Sequence, residues 1–410
     1  MVEAGYPSVR RVVVVGAGLG GHRTVLALRN SGYRGLISLV GDEDALPYDR
    51  PPLSKQALQT GSTAPALSNL DQYRELGVAL HLGNAAVHLD SEASVVALAD
   101  GSALPYDALV IATGSRARTL PFLEDVGALT LRTEADASTL RAELVRSRRL
   151  AVIGGGFVGC EVASSARTLG LDVSIIEALP SLLMRGCGPV VGGLVRTIHE
   201  NNGVKVLCDT GVVSARRDAH GITLGLSNGE EGQFDVVVVG IGGYLDLDWL
   251  ATCPLVIDDG IICDASGQTS IPNVFAVGDV ARWRQPDSSL SPRCEHWTAT
   301  VEQAAVVAHN IANSDTRTHD ATPYIWSDQF STKVQVVGRP NPEDTVEIVE
   351  FGEQARPVAL YSEGLRLTGA VGIGAAAAVV RLRRLFSDRD VSLEAAREAL
   401  GLGRTTSASQ

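Results

Sequence analysis

A glycine fingerprint that occurs twice constrains this chain more than any other feature. The first copy is Arg11-Val-Val-Val-Val-Gly16-Ala-Gly18-Leu-Gly20-Gly21, followed by a stretch of helical character and then Leu36-Ile-Ser-Leu-Val-Gly-Asp42. The second, whose first glycine stands 138 positions after Gly16, is Leu150-Ala-Val-Ile-Gly154-Gly-Gly156-Phe157-Val158-Gly159, again with a helical stretch, then Val173-Ser-Ile-Ile-Glu177. Each reads as an apolar strand, a glycine turn, a helix and a second strand with an acid near its end, which is the βαβ unit that binds a dinucleotide. Within each unit the first glycine permits a tight turn, the middle one lets backbone approach a pyrophosphate, and the last lets helix pack on strand. The helix then offers free N–H groups and a positive end to the phosphates.

The acids say which nucleotide each unit prefers. Glu177 lies 23 positions after Gly154, close to the ~20 expected of a carboxylate that accepts a bond from a ribose 2′-hydroxyl. A carboxylate there repels a 2′-phosphate, and no arginine follows before Arg185, so the second unit reads as an NADH site. Asp42 is the matching acid of the first unit. Three further apolar strands end in glycine: Ala108-Leu-Val-Ile-Ala112-Thr113-Gly114, Asp235 to Gly240, and Val274-Phe-Ala-Val-Gly278-Asp279. Glu295 to Asn313 reads as a helix. From about Ala321 the pattern changes: Lys333 to Gly338, Thr345 to Phe351 and Pro357 to Tyr361 look like antiparallel strands, Val391 to Leu400 like a helix, and Gly403 to Gln410 like a polar, frayed tail.

Composition removes other classes. A net charge of −12 argues against general nucleic-acid binding. The longest uncharged apolar stretch, Leu367 to Val380, is 14 residues, short of the ~20 a membrane helix needs. The six cysteines (160, 187, 208, 253, 263, 294) show no zinc or iron–sulfur spacing, so no metal is expected. With no apolar signal region in Met1 to Arg11, the expectation is a soluble cytoplasmic protein.

Two dinucleotide units, one of them N-terminal, point to a bound FAD beside an exchanging nicotinamide. Here the chain resembles the FAD-dependent pyridine nucleotide oxidoreductases, and within them the NADH:ferredoxin reductases of bacterial oxygenase systems (the putidaredoxin reductase and biphenyl dioxygenase reductase type). The motifs that carry the resemblance are Pro47-Tyr-Asp-Arg50-Pro-Pro-Leu-Ser-Lys55, Ala112-Thr113-Gly114, Ala276-Val-Gly-Asp279-Val-Ala, Glu295-His296-Trp297 and Trp326-Ser-Asp-Gln329. It implies a glutathione-reductase-like α/β fold: two Rossmann-like dinucleotide-binding domains, for FAD (1–115 and 241–320) and NAD (116–240), plus a C-terminal α+β domain (321–410). It further implies that Asp279 binds the FAD ribityl chain and that Glu295-His296-Trp297 opens a helix aimed at the flavin. Arg50 then holds the nucleotide, and Lys55 lies near flavin N5 with Glu161 as its ion-pair partner. Val87 and Arg132 match FAD-contact positions, and Gly242 falls at the NAD site. For Trp297 itself, ordinary core packing is the expectation.

Disulfide reductases of this superfamily carry cysteine after the first βαβ unit; here Asp42 to Gly61 has none. Electrons arriving on the flavin have no thiol to go to. The resemblance implies a [2Fe-2S] ferredoxin as acceptor, feeding a monooxygenase or dioxygenase, with Arg381, Arg383 and Arg384 as candidate docking cations. An NADH-binding signalling flavoprotein of the apoptosis-inducing-factor kind and a direct small-molecule reductase share the scaffold and remain open.

Overall fold

The structure is a computed structural model that describes residues 9–285, 292–320, 322–386 and 391–402; the expected tail Gly403 to Gln410 lies outside them. The chain divides into two compact units, each assembled from three segments. One comprises Met1–Asp49, Pro65–Arg116 and Tyr244–Ala321, the other Arg50–Ala64, Ala117–Gly243 and Thr322–Gln410.

The first unit is organised by a parallel sheet. Val12 to Val15 are 0–3% exposed, and a β-branched run buried on both faces is the signature of a central parallel strand. The Arg11–Val15 strand pairs with Leu36–Val40 on one side and Ala108–Ile111 on the other. Val78–His81 and Val274–Ala276 complete the edges. The spatial order, numbered along the chain, is 3-2-1-4-5, the doubly wound arrangement in which ligands bind beyond the carboxyl ends of the strands. The Leu19–Asn30 helix packs against the Trp297–Ala312 helix. Cβ atoms built on Gly20 would stand 3.3 Å from Thr300, which sets how near these two helices come.

The second unit repeats the plan. Arg149–Ile153 lies between Asp172–Ile176 and Val236–Val239, and Lys205–Leu207 forms the outer edge, all parallel. An antiparallel trio, Val212–Asp218, Gly221–Leu226 and Glu231–Phe234, shares its core with Ile153 and Val239. Segment 50–64, which the sequence places inside the expected 1–115 portion, packs in this unit: Arg141 donates to the Leu58 carbonyl at 2.6 Å and Ser165 to the Ser54 carbonyl at 2.7 Å. The C-terminal part is a five-stranded antiparallel sheet, in spatial order Tyr324–Gln329, Thr332–Gly338, Arg366–Ile373, Arg356–Glu363, Thr345–Phe351. The Ala376–Leu385 and Leu393–Ala399 helices pack on it around Val358, Leu360, Val379 and Leu382. The apolar stretch Leu367 to Val380 is therefore most of one strand followed by the start of a helix, and no helix among the described residues is long and apolar enough to cross a membrane.

In the first unit His22 makes an acid-sensitive contact. His22, 2% exposed, holds Nδ1 2.7 Å from the Tyr73 hydroxyl, and burial with Arg23 alongside lowers its pKa to about 4. The unfolded chain, with histidine near 6.5, binds the proton first, so stability is complete above pH 6.5 and falls as the pH drops towards 4. Thermal unfolding should show this slope, worth at most about 3 kcal/mol for His22, and His22→Gln should make it shallower.

Candidate functional site

Gly16 has φ +115°, and a Cβ there would stand 2.2 Å from the Ala112 carbonyl oxygen. The Ala112-Thr113-Gly114 segment therefore crosses directly against the fingerprint turn. A Cβ on Gly21 would meet the Gly16 oxygen at 2.0 Å, so the helix sits on the strand without room for a methyl group. Gly18 is different. It caps the Leu19–Asn30 helix with extended backbone and no side-chain capping bond, and a Cβ on it would touch nothing within 4 Å. N–H donors with no side-chain cap, facing open space, are what a diphosphate requires, and the residues fit the group.

Several of the residues expected to contact FAD lie in the first unit. Gly41 abuts Ala17 (2.6 Å from a built Cβ), which sets Asp42 beside the fingerprint. Asp42 pairs with Arg116 at 3.1 Å, and Arg116 also reaches Asp246 at 2.7 Å. Asp279 follows the Val274–Ala276 strand on a short turn, where it accepts from the Ser115 hydroxyl at 3.1 Å, and Gly278 N–H is held by Gln303. His296 caps the Trp297–Ala312 helix without a side-chain bond, and burial lowers its pKa to about 4, so it is neutral at pH 7. Glu295 is exposed and paired with Arg293. Trp297 departs from simple core packing: it is half-buried, its indole N–H donates to Asp49 at 2.9 Å, and the Arg23 guanidinium lies 5.3 Å from its ring centroid. Val87 stands half exposed on the Ala86–Asp90 strand, at a register shift.

The second fingerprint makes the same close glycine contacts as the first. Gly154 (φ +104°) presses on the Gly240 carbonyl oxygen, 2.4 Å from a built Cβ, and Gly159 meets the Gly154 oxygen at 2.1 Å. Gly156 caps the Phe157–Thr168 helix with no side-chain bond and open space above it. Glu177 is turned onto this loop: one carboxylate oxygen accepts Gly155 N–H at 2.6 Å, the other Leu179 N–H at 2.8 Å. Phe157 lies against Gly186, Val158 is 46% exposed, and Arg185 and Gly242 are exposed.

Three expected FAD contacts lie in the second unit. Arg50 donates to the Arg132 carbonyl at 2.5 Å, and Arg132 N–H is held by Asp136 at the start of the Glu134–Arg146 helix. Lys55 Nζ stands 2.8 Å from Glu161, as the resemblance implies, and also donates to the Pro51 carbonyl at 3.1 Å. Glu161 is 6% exposed. The sequence reading missed two of its partners: Ser54 donates at 2.5 Å and Ser327 at 2.7 Å. Both sit inside quoted motifs, Pro-Pro-Leu-Ser-Lys55 and Trp326-Ser-Asp-Gln329, so the signal was present. Cys160 is fully buried, with its thiol pKa pushed up by desolvation, and it packs without reacting partners. Among the described residues no cluster of histidine, cysteine and acids suits a metal.

The profile of the pyridine nucleotide-disulphide oxidoreductases matches residues 10–304, and that of the reductase C-terminal domain matches 324–399. The chain belongs to the pyridine nucleotide-disulphide oxidoreductase family. It is 37% identical over 382 residues to the ferredoxin–NAD(+) reductase component of an anthranilate 1,2-dioxygenase system from Burkholderia cepacia, covering 92% of this chain and 93% of that protein. Against putidaredoxin reductase of Pseudomonas putida the identity is 33% over 390 residues, 92% of each. Among solved structures, the ferredoxin reductase for the CYP199A2 system of Rhodopseudomonas palustris superposes with a TM-score of 0.89 at 29% identity, covering 95% of this chain and 97% of that one. The reductase in a covalent putidaredoxin reductase–putidaredoxin complex superposes with a TM-score of 0.86 at 30% identity, covering 93% of each chain.

Gly16 and Gly18 separate fold from ligand. Gly16→Ala puts a side chain at positive φ against backbone and should cost well over about 1 kcal/mol. Gly18→Ala has φ −92° and free space, so melting of the apoprotein should stay within about 0.5 kcal/mol of wild type while flavin uptake, read by absorbance, is lost.

Proposed function

We propose that this chain is an NADH-dependent ferredoxin reductase that carries FAD and serves a cytoplasmic oxygenase system. One observation carries the reading: an uncapped glycine cradle in each unit, the second read by a carboxylate, with no cysteine between residues 42 and 61 to receive electrons. The cradle at Gly16 to Gly21, with Asp42 and Asp279, holds FAD; the cradle at Gly154 to Gly159, with Glu177, holds NADH. The flavin, when bound, accepts two electrons as hydride and gives them up singly. Glu177 selects the nucleotide by accepting ribose hydroxyls and repelling a 2′-phosphate. In the second unit Lys55, neutralised by Glu161, is a fixed ammonium of the kind that favours an electron-rich flavin, and in the first unit the Trp297–Ala312 helix has a positive end of the same use. Both devices stabilise negative charge without taking part in bond making.

The acceptor is an acidic [2Fe-2S] ferredoxin. On the Ala376–Leu385 helix Arg381, Arg383 and Arg384 are exposed; Arg383 lies over the Tyr324 ring at 4.8 Å, and Tyr324 stacks on Trp326 at 6.0 Å. These cations supply a docking charge that salt screens.

Purified protein should be yellow and reduce ferricyanide with NADH, yet reduce cytochrome c efficiently only after a [2Fe-2S] ferredoxin is added, with a rate that falls as salt rises. Fast cytochrome-independent turnover of a small acceptor with no gain from ferredoxin would replace this reading with a direct reductase. Glu177→Ala with Ala178→Arg should move the NADPH/NADH ratio of kcat/KM by at least about tenfold, or roughly 1.4 kcal/mol; an unchanged ratio removes Glu177 from nucleotide choice.

A further inference from the structure

Glu161 is a buried acid, and its hydrogen bonding reaches further than the Lys55 pair. A polar group this enclosed costs free energy unless its oxygens have donors. Its Oε2 is shared by Ser54 Oγ and Lys55 Nζ, while Oε1 has Ser327 Oγ as its donor. Ser327 is 0% exposed on the inner face of the Tyr324–Gln329 strand, in the C-terminal sheet. Its one hydrogen is committed to Glu161, so it accepts from Gln329 Nε2 at 3.2 Å. The other end of that amide, Oε1, lies 3.0 Å from His199 Nε2. This requires the His199 proton on Nε2; burial lowers the ring's pKa, and Nδ1 has no partner. Gln329 and His199 are also 0% exposed. Each hydrogen bond along His199, Gln329 and Ser327 therefore donates towards Glu161, and aligned donors strengthen one another.

We propose that Ser327, backed by Gln329 and His199, is the positioning residue that holds the Glu161 carboxyl group in place and aimed at Lys55. The C-terminal sheet thereby sets the electrostatics of the Lys55–Glu161 pair from behind. The inference rests on the reading of Lys55 as the cation offered to flavin. Other ionisable groups do not compete for Glu161: Cys160, next on the helix, is held neutral by burial, and Asp328 lies on the opposite strand face, paired with Lys333 at 2.9 Å. On the adjoining strand Arg149 is bound to Asp235.

The test uses flavin-loaded full-length protein and reads the visible flavin spectrum and the flavin midpoint potential. Lys55→Met, which removes the cation, should shift both. Ser327→Ala, which takes a donor from one Glu161 oxygen, should shift both by less, Gln329→Leu by less again, and Ser327→Thr should restore the wild-type values. If Lys55→Met shifts the potential while Ser327→Ala and Gln329→Leu match wild type, the proposal is overturned and the functional reading stands. If Lys55→Met leaves spectrum and potential untouched, the reading of Lys55 fails and the proposal with it. Should Ser327→Ala not fold, Gln329→Leu decides alone: an unshifted potential overturns the proposal.

Discussion

Where Gly16 would carry a side chain the Ala112 carbonyl oxygen lies 2.2 Å away, and where Gly154 would carry one the Gly240 oxygen lies 2.4 Å away. In both units the connection leaving the strand on one side of the central strand is pressed onto the glycine turn leaving the central strand itself. That contact sets the height of the turn, which sets where the following helix begins. The helix start is left bare at Gly18 and Gly156, with backbone donors facing open space. Phosphate recognition here is a property of backbone placement, and backbone placement follows from two positions that tolerate no Cβ.

The second constraint is electrostatic. Taking a carboxylate and an ammonium out of water costs several kcal/mol per ion, and their attraction repays this only when the remaining lone pairs are also satisfied. Glu161 meets that condition through two serines as well as Lys55. Such a pair is weak evidence for added stability. It is a means of holding one charge in one place.

Much of this was legible in the sequence because it depends on local chemistry. The fingerprint spacing, the acid near the end of the second strand and the glycine-terminated runs at 108–114, 235–240 and 274–279 each predict an element; the first two runs supply strands next to their fingerprint strands, and the third supplies the strand beside Ala108–Ile111. What escaped was non-local. Ser327 meets Glu161 across 166 positions and Ser54 meets it across 107, and no periodicity encodes such a meeting. The strand Arg366–Ile373 was hidden because glycines at 369 and 372 and the alanines that follow carry little strand propensity. Its neighbours Thr332–Gly338 and Arg356–Glu363 impose the conformation by pairing on both sides. Trp297 looked like core because an aromatic near an alanine-rich helix usually is; its bond to Asp49 depends on a residue 248 positions away.

The interleaving of the two units bears on how the chain emerges during synthesis. The strand Ala108–Ile111 borders Val274–Ala276, which follows about 160 residues later. At ordinary translation rates its outer edge stays open for on the order of ten to thirty seconds, while the entire second fingerprint sheet is being made. An unpaired, wholly apolar strand is a template for wrong partners. Newborn copies therefore carry a sticky seam until the Val274–Ala276 segment leaves the ribosome, and the yield of this protein in a host cell depends on what shields that seam in the interval.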